Sequence, residues 1–177
     1  IELITDRPLE VNLREIKQVK RDYKDRALVI SLMVPCEELN WNSIVARVEE
    51  TGADGIVLVT NHLDPKNRGS DVFLGNLKWL LDRLPKDIPL GLYECPAPYR
   101  RMLTDDELRF CIDSGRFVML KDVSCDLATV KRRVAMTAGT PFAILNANAA
   151  IAYDAMKAGS RGFNGVHTNY HPDLYKW

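Results

Sequence analysis

The hydrophobic pattern of the chain alternates between two kinds of segment. Short apolar runs rich in Val, Ile and Leu are followed by longer stretches in which apolar residues recur every three or four positions. The short runs are typical of buried strands, and the longer stretches are typical of amphipathic helices. The alternation therefore predicts a series of βα units that form a parallel sheet.

Six strands and six helices are predicted from this pattern. The strands cover residues 27–34, 54–60, 88–94, 117–121, 142–146 and 162–166. The helices cover residues 13–23, 41–51, 72–84, 105–114, 127–137 and 150–158. Residues suited to helix ends agree with these bounds: Thr104 and Asp126 as N-caps, and Gly52, Gly115, Gly139 and Gly159 just after helix ends.

The predicted fold class is α/β, of the (β/α)8 TIM-barrel type, in one domain over residues 1–177. A closed barrel has eight βα units and typically about 250 residues, so six units in 177 residues predict an incomplete barrel. An open doubly wound sheet is the structural alternative, although no Gly-rich first βα turn of the nucleotide-binding kind is present. Because the chain starts at Ile1 and stops at Trp177 after a turn-like segment, we expect it to be an excerpt.

Composition and charge narrow the classes of function. Hydrophobic residues make up 46% of the chain and charged residues 27%, while Lys plus Arg and Asp plus Glu number 24 each. This balance gives no net field to attract nucleic acid or an anionic membrane, and no apolar run approaches the roughly 20 residues that span a bilayer. We expect a cytoplasmic protein with four reduced thiols, and neither nucleic acid nor membrane as a partner.

Two adjacent predicted strands end in side chains suited to covalent chemistry. In a parallel barrel the carboxyl ends of the strands line the active site, and every second side chain points inward. This alternation places Phe117, Met119 and Lys121 on one face of their strand, and it gives Tyr93 the corresponding end position on the strand before. An amine among apolar side chains loses hydration, which favours its neutral, nucleophilic form, and a nearby phenol can relay protons. The alternative is a lysine that extends to solvent beside a core tyrosine.

Three segments resemble the dihydrodipicolinate synthase and N-acetylneuraminate lyase family. They are residues 89–96 (Pro-Leu-Gly-Leu-Tyr-Glu-Cys-Pro), 117–124 (Phe-Val-Met-Leu-Lys-Asp-Val-Ser) and 163–169 (Phe-Asn-Gly-Val-His-Thr-Asn), in the order and at the spacing of the family. The resemblance implies a Schiff-base-forming aldolase or lyase in which Lys121 forms the imine and Tyr93 assists. It also implies that no metal and no organic cofactor is needed.

The same resemblance suggests substrate-binding positions at Asn146, Asn148, Gly165 and Arg100. The pattern departs from the family at Pro98, where an arginine that binds the second substrate is usual. Asn146 and Asn148 stand where neuraminate lyases have an acidic pair, which disfavours sialic acid as substrate. The Thr-Thr pair that holds the keto acid's carboxylate belongs to a family strand that this sequence does not contain.

Residues 1–56 resemble a different family, the flavin-binding barrel domain of dihydropyrimidine dehydrogenases. The likeness stops where that family would continue into a flavin-contacting loop, and the Gly-rich phosphate loops late in the flavin barrel are absent. Because both families are (β/α)8 barrels with a Gly-Ala-Asp-Gly-like approach to the fourth strand, a join would preserve strand register. The sequence therefore predicts a chimera with its join near residues 52–56.

Three functions follow from these observations. The leading one is a carbon-carbon or carbon-oxygen lyase of the Schiff-base type, acting on a pyruvate-like 2-oxo acid. The second is a catalytically silent barrel fragment that binds a partner or assembles through open sheet edges, which also predicts a homo-oligomer. The third, resting on residues 1–56 alone, is a fragment of a flavin-dependent pyrimidine oxidoreductase.

Overall fold

The computed structural model of the chain describes residues 7–34 and 38–175, so Cys36 lies outside the described residues. It contains a six-stranded sheet in which the strands follow one another in chain order and every neighbouring pair is parallel. The strands are β1 Val29–Leu32, β2 Gly55–Val59, β3 Leu90–Tyr93, β4 Phe117–Asp122, β5 Ala143–Asn146 and β6 Gly162–Phe163.

Helices connect the strands. They are α1 Leu9–Asp22, α2 Glu38–Glu49, α3 Thr60–Leu63, α4 Ser70–Leu81, α5 Asp105–Asp113, α6 Leu127–Met136 and α7 Ala152–Lys157, with short 3-10 helices at Ala149–Ile151, Val166–Asn169 and Pro172–Tyr175. An open doubly wound sheet reverses its strand order at a switch point, whereas this sheet keeps one order throughout. The prediction of an incomplete (β/α)8 barrel is therefore confirmed.

The main hydrophobic core lies between the sheet and the helices. Every second strand residue faces it, including Leu32, Leu58, Leu90, Leu92, Leu120 and Ile144. A second, smaller cluster lies on the opposite face of the sheet and consists of Val57, Val59, Tyr93 and Cys95, with Met33, Ala97, Met119 and Val123 packed against it. The two clusters correspond to the outside and the inside of a barrel wall.

Strand β4 departs from the predicted alternation. Phe117 pairs with Leu90 and Met119 pairs with Gly91, so the register shifts by one residue at Val118. Phe117 consequently belongs to the helix-side core and is 2% exposed. The prediction that Phe117 shares a face with Met119 and Lys121 is wrong, because the extra residue in β4 inverts the alternation at its first position.

The sixth strand is shorter than predicted. The pattern indicates a strand over residues 162–166, but β6 contains Gly162 and Phe163 only. The Asn164 amide still donates to the Asn146 carbonyl at 2.8 Å, and a 3-10 helix begins at Val166. Thr168 closes this turn because its Oγ1 donates to the Gly165 carbonyl at 2.6 Å.

The predicted N-caps Thr104 and Asp126 are confirmed, whereas α1 begins at Leu9 rather than at residue 13 and α4 ends at Leu81 rather than at residue 84. Thr104 accepts a hydrogen bond from the Glu107 amide, and the Glu107 side chain accepts one from the Thr104 amide, which forms a complete capping box. Asp126 accepts from the Thr129 amide at 2.9 Å. None of the helices in the described residues is long and apolar enough to span a membrane.

Two glycines give opposite predictions for substitution by alanine. Gly159 has φ +107°, and an added Cβ would lie 2.9 Å from Val134 Cγ1. Gly75 lies inside α4, and an added Cβ would meet nothing within 4 Å. We expect Gly159→Ala to lower the free energy of unfolding by about 1–2 kcal/mol or more. Gly75→Ala should raise it by about 0.5–1 kcal/mol.

Urea unfolding followed by circular dichroism measures both changes. Each variant serves as the other's control, because both add a single methyl group to a glycine. Equal effects from the two substitutions would contradict the backbone geometry assigned to Gly159.

Candidate functional site

Lys121 and Tyr93 lie side by side on the inner face of the sheet. Tyr93 is the last residue of β3, Lys121 is the penultimate residue of β4, and the parallel register pairs them directly. The Lys121 Nζ lies 4.1 Å from the centroid of the Tyr93 ring. The predicted juxtaposition of an amine and a phenol at neighbouring strand ends is thus present in the structure.

Both side chains line a cleft of about 1110 Å³ on the inner face of the sheet. Its apolar lining includes Val29, Met33, Val57, Met119 and Leu145, and its polar lining includes Ser31, Asn40, Ser43, Asn164, Thr168 and Asn169. Among the described lining residues, Lys121 is the single charged side chain. A small anion that entered the cleft would therefore be attracted to the amine.

A glycine shapes the floor of this cleft. A Cβ added at Gly91 would lie 2.9 Å from Met119 Cγ and 2.9 Å from Val57 Cγ2. The missing side chain lets Met119 and Val57 pack across β3 beneath Lys121. The floor under the amine is therefore apolar and closely packed.

The other predicted site residues are placed differently. Gly165 lines the cleft, whereas Asn146, Asn148 and Arg100 are not among its lining residues. Asn146 is 1% exposed, and its side chain donates to the Asn148 carbonyl at 2.8 Å and accepts from the Asn148 amide at 3.1 Å. The pair closes the turn after β5, and its contact with a substrate stays a prediction.

The Arg100 side chain is hydrogen-bonded to the loop that follows β4. Its Nη1 donates to the Val123 carbonyl at 2.9 Å, and this contact is exposed to solvent. Arg100 therefore joins the loops that follow β3 and β4 and does not reach the cleft in this structure. Its predicted role in substrate binding is likewise untested.

A buried ionic network supports Lys121 and Tyr93 from the helix side. Arg133, on α6, is 1% exposed. Its guanidinium donates to both oxygens of Glu94, at 2.9 and 2.6 Å, and also to the Asp122 carboxylate. Glu94 directly follows Tyr93, and Asp122 directly follows Lys121. One arginine thus binds the residues next to both predicted catalytic side chains.

Arg133 was not anticipated from the sequence. The run Lys131-Arg132-Arg133 is typical of a solvated helix face, and this interpretation is wrong for Arg133 although Lys131 and Arg132 are exposed. A signal was nevertheless present. Arg133 stands three residues after Val130, which is buried, so helical spacing places both on the face that packs against the sheet.

A second buried network holds the loop after β3. Arg101 donates to Glu107 at 2.9 and 2.7 Å and to Asp64 at 3.1 Å. Thr60 Oγ1 donates to the Arg101 carbonyl at 2.7 Å, and Asn61 Nδ2 donates to three further carbonyls of residues 95–99. The loop that follows Tyr93 is therefore fixed by many hydrogen bonds.

Donor groups for a metal ion or a flavin can be examined within the described residues. The described residues contain no group of three His, Cys, Asp or Glu side chains placed to hold a metal ion. A flavin phosphate needs free amide donors in the loops late in the barrel. After β5 those amides are engaged, because Asn148 N donates to Asn146 Oδ1 and Ala150 N donates to Asn148 Oδ1. These residues do not fit a flavin phosphate.

Solved structures similar to this chain include dihydrodipicolinate synthases. The enzyme from Acinetobacter baumannii, solved in complex with pyruvate, aligns with a TM-score of 0.78 and 21% identity over 96% of this chain and 57% of that one. The enzyme from Bacteroides thetaiotaomicron aligns with a TM-score of 0.79 and 18% identity over 94% of this chain and 55% of that one. The chain has the dihydrodipicolinate synthase fold. It spans little more than half the length of these structures.

Curated proteins give a different and shorter match. Dihydropyrimidine dehydrogenase (NADP(+)), chloroplastic, of Arabidopsis thaliana is 45% identical over 56 residues, which is 32% of this chain and 13% of that protein. The PreA subunit of the Escherichia coli NAD-dependent dihydropyrimidine dehydrogenase is 39% identical over the same length. No family model matches the chain. The two comparisons support the predicted union of two families within one chain.

The network around Arg101 makes stability depend on pH. Burial by itself raises the pKa of Glu107, but hydrogen bonds from Arg101 and from the Thr104 amide outweigh it, so the pKa lies below 4.5. Asp64 behaves in the same way, because amides of Gly69 and Arg68 together with Arg101 lower its pKa against the effect of burial. Carboxylates of this kind stabilise the fold above their unfolded-state pKa, and that contribution is lost as the pH falls through the folded-state value.

We therefore expect Glu107→Gln to lower the free energy of unfolding at pH 7 and to flatten its decline below pH 4.5. Urea unfolding of the parent and the variant at pH 7, and at steps below pH 4.5, measures both effects. An unchanged pH dependence in the variant would show that Glu107 does not carry this contribution.

Proposed function

We propose that the protein is a Schiff-base-forming lyase that acts on a pyruvate-like 2-oxo acid. The observation that carries the proposal is the contact of the Lys121 amine with the Tyr93 ring, at paired ends of β3 and β4, inside a cleft. Active sites of (β/α)8 barrels lie at the carboxyl ends of the strands, where these two residues stand.

The chemistry follows from the two groups. Lys121 gives up one proton through Tyr93, and its neutral Nζ attacks the C2 carbonyl carbon of the 2-oxo acid to form a carbinolamine. The carbinolamine hydroxyl takes up that proton and leaves as one water molecule, which gives the iminium. The iminium accepts the electron pair released when a bond to the adjacent carbon breaks. Tyr93 relays protons to the departing hydroxide and to the reacting carbon. Protein groups alone supply these steps.

Charge and shape agree with this substrate class. Lys121 is the single charged side chain among the described residues of the cleft wall, so it provides one positive charge to attract a monoanionic acid. The apolar floor formed by Val57, Gly91 and Met119 suits a small methyl or methylene group. The pyruvate complex of the Acinetobacter baumannii enzyme, which has the same fold, supports the choice of a pyruvate-like ligand.

A reducing cytoplasmic location is part of the proposal. Cys111 and Cys125 are free thiols. Burial raises the pKa of Cys111 to about 12, so this thiol stays protonated and unreactive.

Trapping of the imine tests the nucleophile. Incubation with pyruvate and borohydride should add the mass of the reduced ligand at Lys121, because hydride reduction makes the imine permanent. Lys121→Ala should abolish this labelling and leave the circular dichroism spectrum unchanged. Peptide mass spectrometry locates the label.

Two further variants control this experiment. Lys131→Ala removes an exposed lysine of α6 and should leave labelling unchanged. Tyr93→Phe should slow labelling by about 100-fold, because it removes the proton relay but keeps the amine. Labelling spread over surface lysines, or unchanged in Lys121→Ala, would disprove the assignment.

We also propose that the chain forms a homo-oligomer through its sheet edges. Within the described residues β1 pairs only with β2 and β6 only with β5, so each leaves one edge without a strand partner. Val29 on β1 is 44% exposed. Exposed edges of this kind favour pairing with another chain. This observation also supports an assembly role as the second candidate function.

Light scattering tests the oligomer. We expect a particle larger than the 20.1 kDa monomer, and a larger monomer fraction in Val29→Lys, because a charge on an edge strand opposes pairing. Val19→Lys is the matched control, since Val19 is 42% exposed but lies on α1. A monodisperse monomer of the parent chain would refute the proposed assembly.

A further inference from the structure

Three charged side chains form the ionic network behind the cleft, and two of them directly follow the proposed reacting residues in the chain. Glu94 and Asp122 follow Tyr93 and Lys121 in the chain, and strand alternation sends them to the helix side. All three members, Glu94, Asp122 and Arg133, are at most 1% exposed. Their hydrogen bonds are therefore shielded from competing water.

Each carboxylate also fixes the backbone beyond its own strand. Glu94 Oε1 accepts from the Leu103 amide at 2.8 Å, and Glu94 Oε2 accepts from the Val123 amide at 3.2 Å. Asp122 Oδ1 accepts from the Ser124 amide at 2.9 Å. Glu94 thus joins the loop after its own strand to the loop after β4.

Arg133 connects these two carboxylates. Its Nη1 donates to both Glu94 and Asp122, while Nη2 donates to Glu94 and to the Leu103 carbonyl at 3.2 Å. A planar guanidinium fixes both the distance and the angle between two carboxylates, whereas an ammonium group acts as a single point charge. Arg133 therefore links the ends of β3 and β4 through side-chain hydrogen bonds, in addition to the backbone pairing of Tyr93 with Lys121.

We propose that Arg133 is a positioning residue that holds Lys121 and Tyr93 in register for imine formation. The inference rests on the proposed function, since it concerns the rate of that reaction. Arg133 touches neither the cleft nor the substrate. It acts through Glu94 and Asp122, each of which is one peptide bond from a reacting residue, so a shift of either carboxylate displaces the neighbouring side chain.

A comparison of two buried arginines tests the proposal. Arg101 is the matched control, because it is buried and also binds two carboxylates, Asp64 and Glu107, neither of which adjoins Lys121 or Tyr93. Arg133→Lys and Arg101→Lys each keep the positive charge but remove the planar guanidinium that can bind two carboxylates at once. The rate of borohydride trapping at several pyruvate concentrations gives a maximal rate and a half-saturating concentration, and circular dichroism gives the folded fraction.

We expect Arg133→Lys to lower the maximal rate per folded molecule by at least about tenfold, because a displacement of about 1 Å at reacting groups costs about 100-fold. The half-saturating pyruvate concentration should change much less, since the cleft wall is intact. Arg101→Lys should leave the maximal rate per folded molecule within about twofold of the parent. A purely structural role would lower the folded fraction in both variants and leave that rate unchanged.

Asp122→Asn provides a second measurement if Arg133→Lys does not fold. The amide keeps the size of the side chain but weakens its bond to Arg133, and we expect the maximal rate to fall by about tenfold. A folded Arg133→Lys or Asp122→Asn with the parent rate would overturn this inference alone, as would an equal loss in Arg101→Lys. A parent chain that is not labelled at Lys121 would overturn the proposed function and this inference together.

Discussion

The pleat of two neighbouring parallel strands is the constraint on which the site depends. At the ends of β3 and β4, one residue of each strand points into the cleft and the next points toward the helices. Tyr93 and Lys121 occupy the first position, whereas Glu94 and Asp122 occupy the second. Each predicted catalytic residue is therefore followed directly by a carboxylate of the buried network, and a register shift of one residue would exchange their positions.

Burial of the ionic network of Glu94, Asp122 and Arg133 has an energetic cost. Charges taken out of water lose hydration, and well-packed apolar residues in the same place are often equally stabilising or more so. The network limits the cost by satisfying its polar atoms: Glu94 accepts from two backbone amides as well as from Arg133, and the guanidinium donates further to a carbonyl. Since stability alone does not favour buried charges, their placement behind Lys121 and Tyr93 is better explained by geometry. An apolar cluster would lack the directional hydrogen bonds that connect Glu94 and Asp122 through Arg133.

More of the fold than of the candidate site can be predicted from the sequence. Strand positions and helix caps follow from local signals, because hydrophobic period and capping residues act over a few positions. The bulge at Val118 could not be predicted, since it depends on how β4 meets Leu90 of the neighbouring strand. From Met119 onward the side chains alternate as predicted, so the prediction that Lys121 shares a face with Met119 is unaffected by the bulge. Arg133 was missed because a basic run is usually solvated, and because its partners, Glu94 and Asp122, lie 39 and 11 residues earlier in the chain.

The structure also explains why a join near residues 52–56 is physically acceptable. Asp54 contacts the preceding segment, where Lys20 Nζ and the Leu28 amide donate to its carboxylate. Two residues later the chain contacts the following segment, where the Ile56 amide donates to the Pro89 carbonyl. Strand β2 therefore has a neighbour from each side of the predicted join, and both pairings are parallel. Two barrel families can meet there because each needs only a parallel strand in the same register, and the side chains of β2 then alternate correctly between cleft and core.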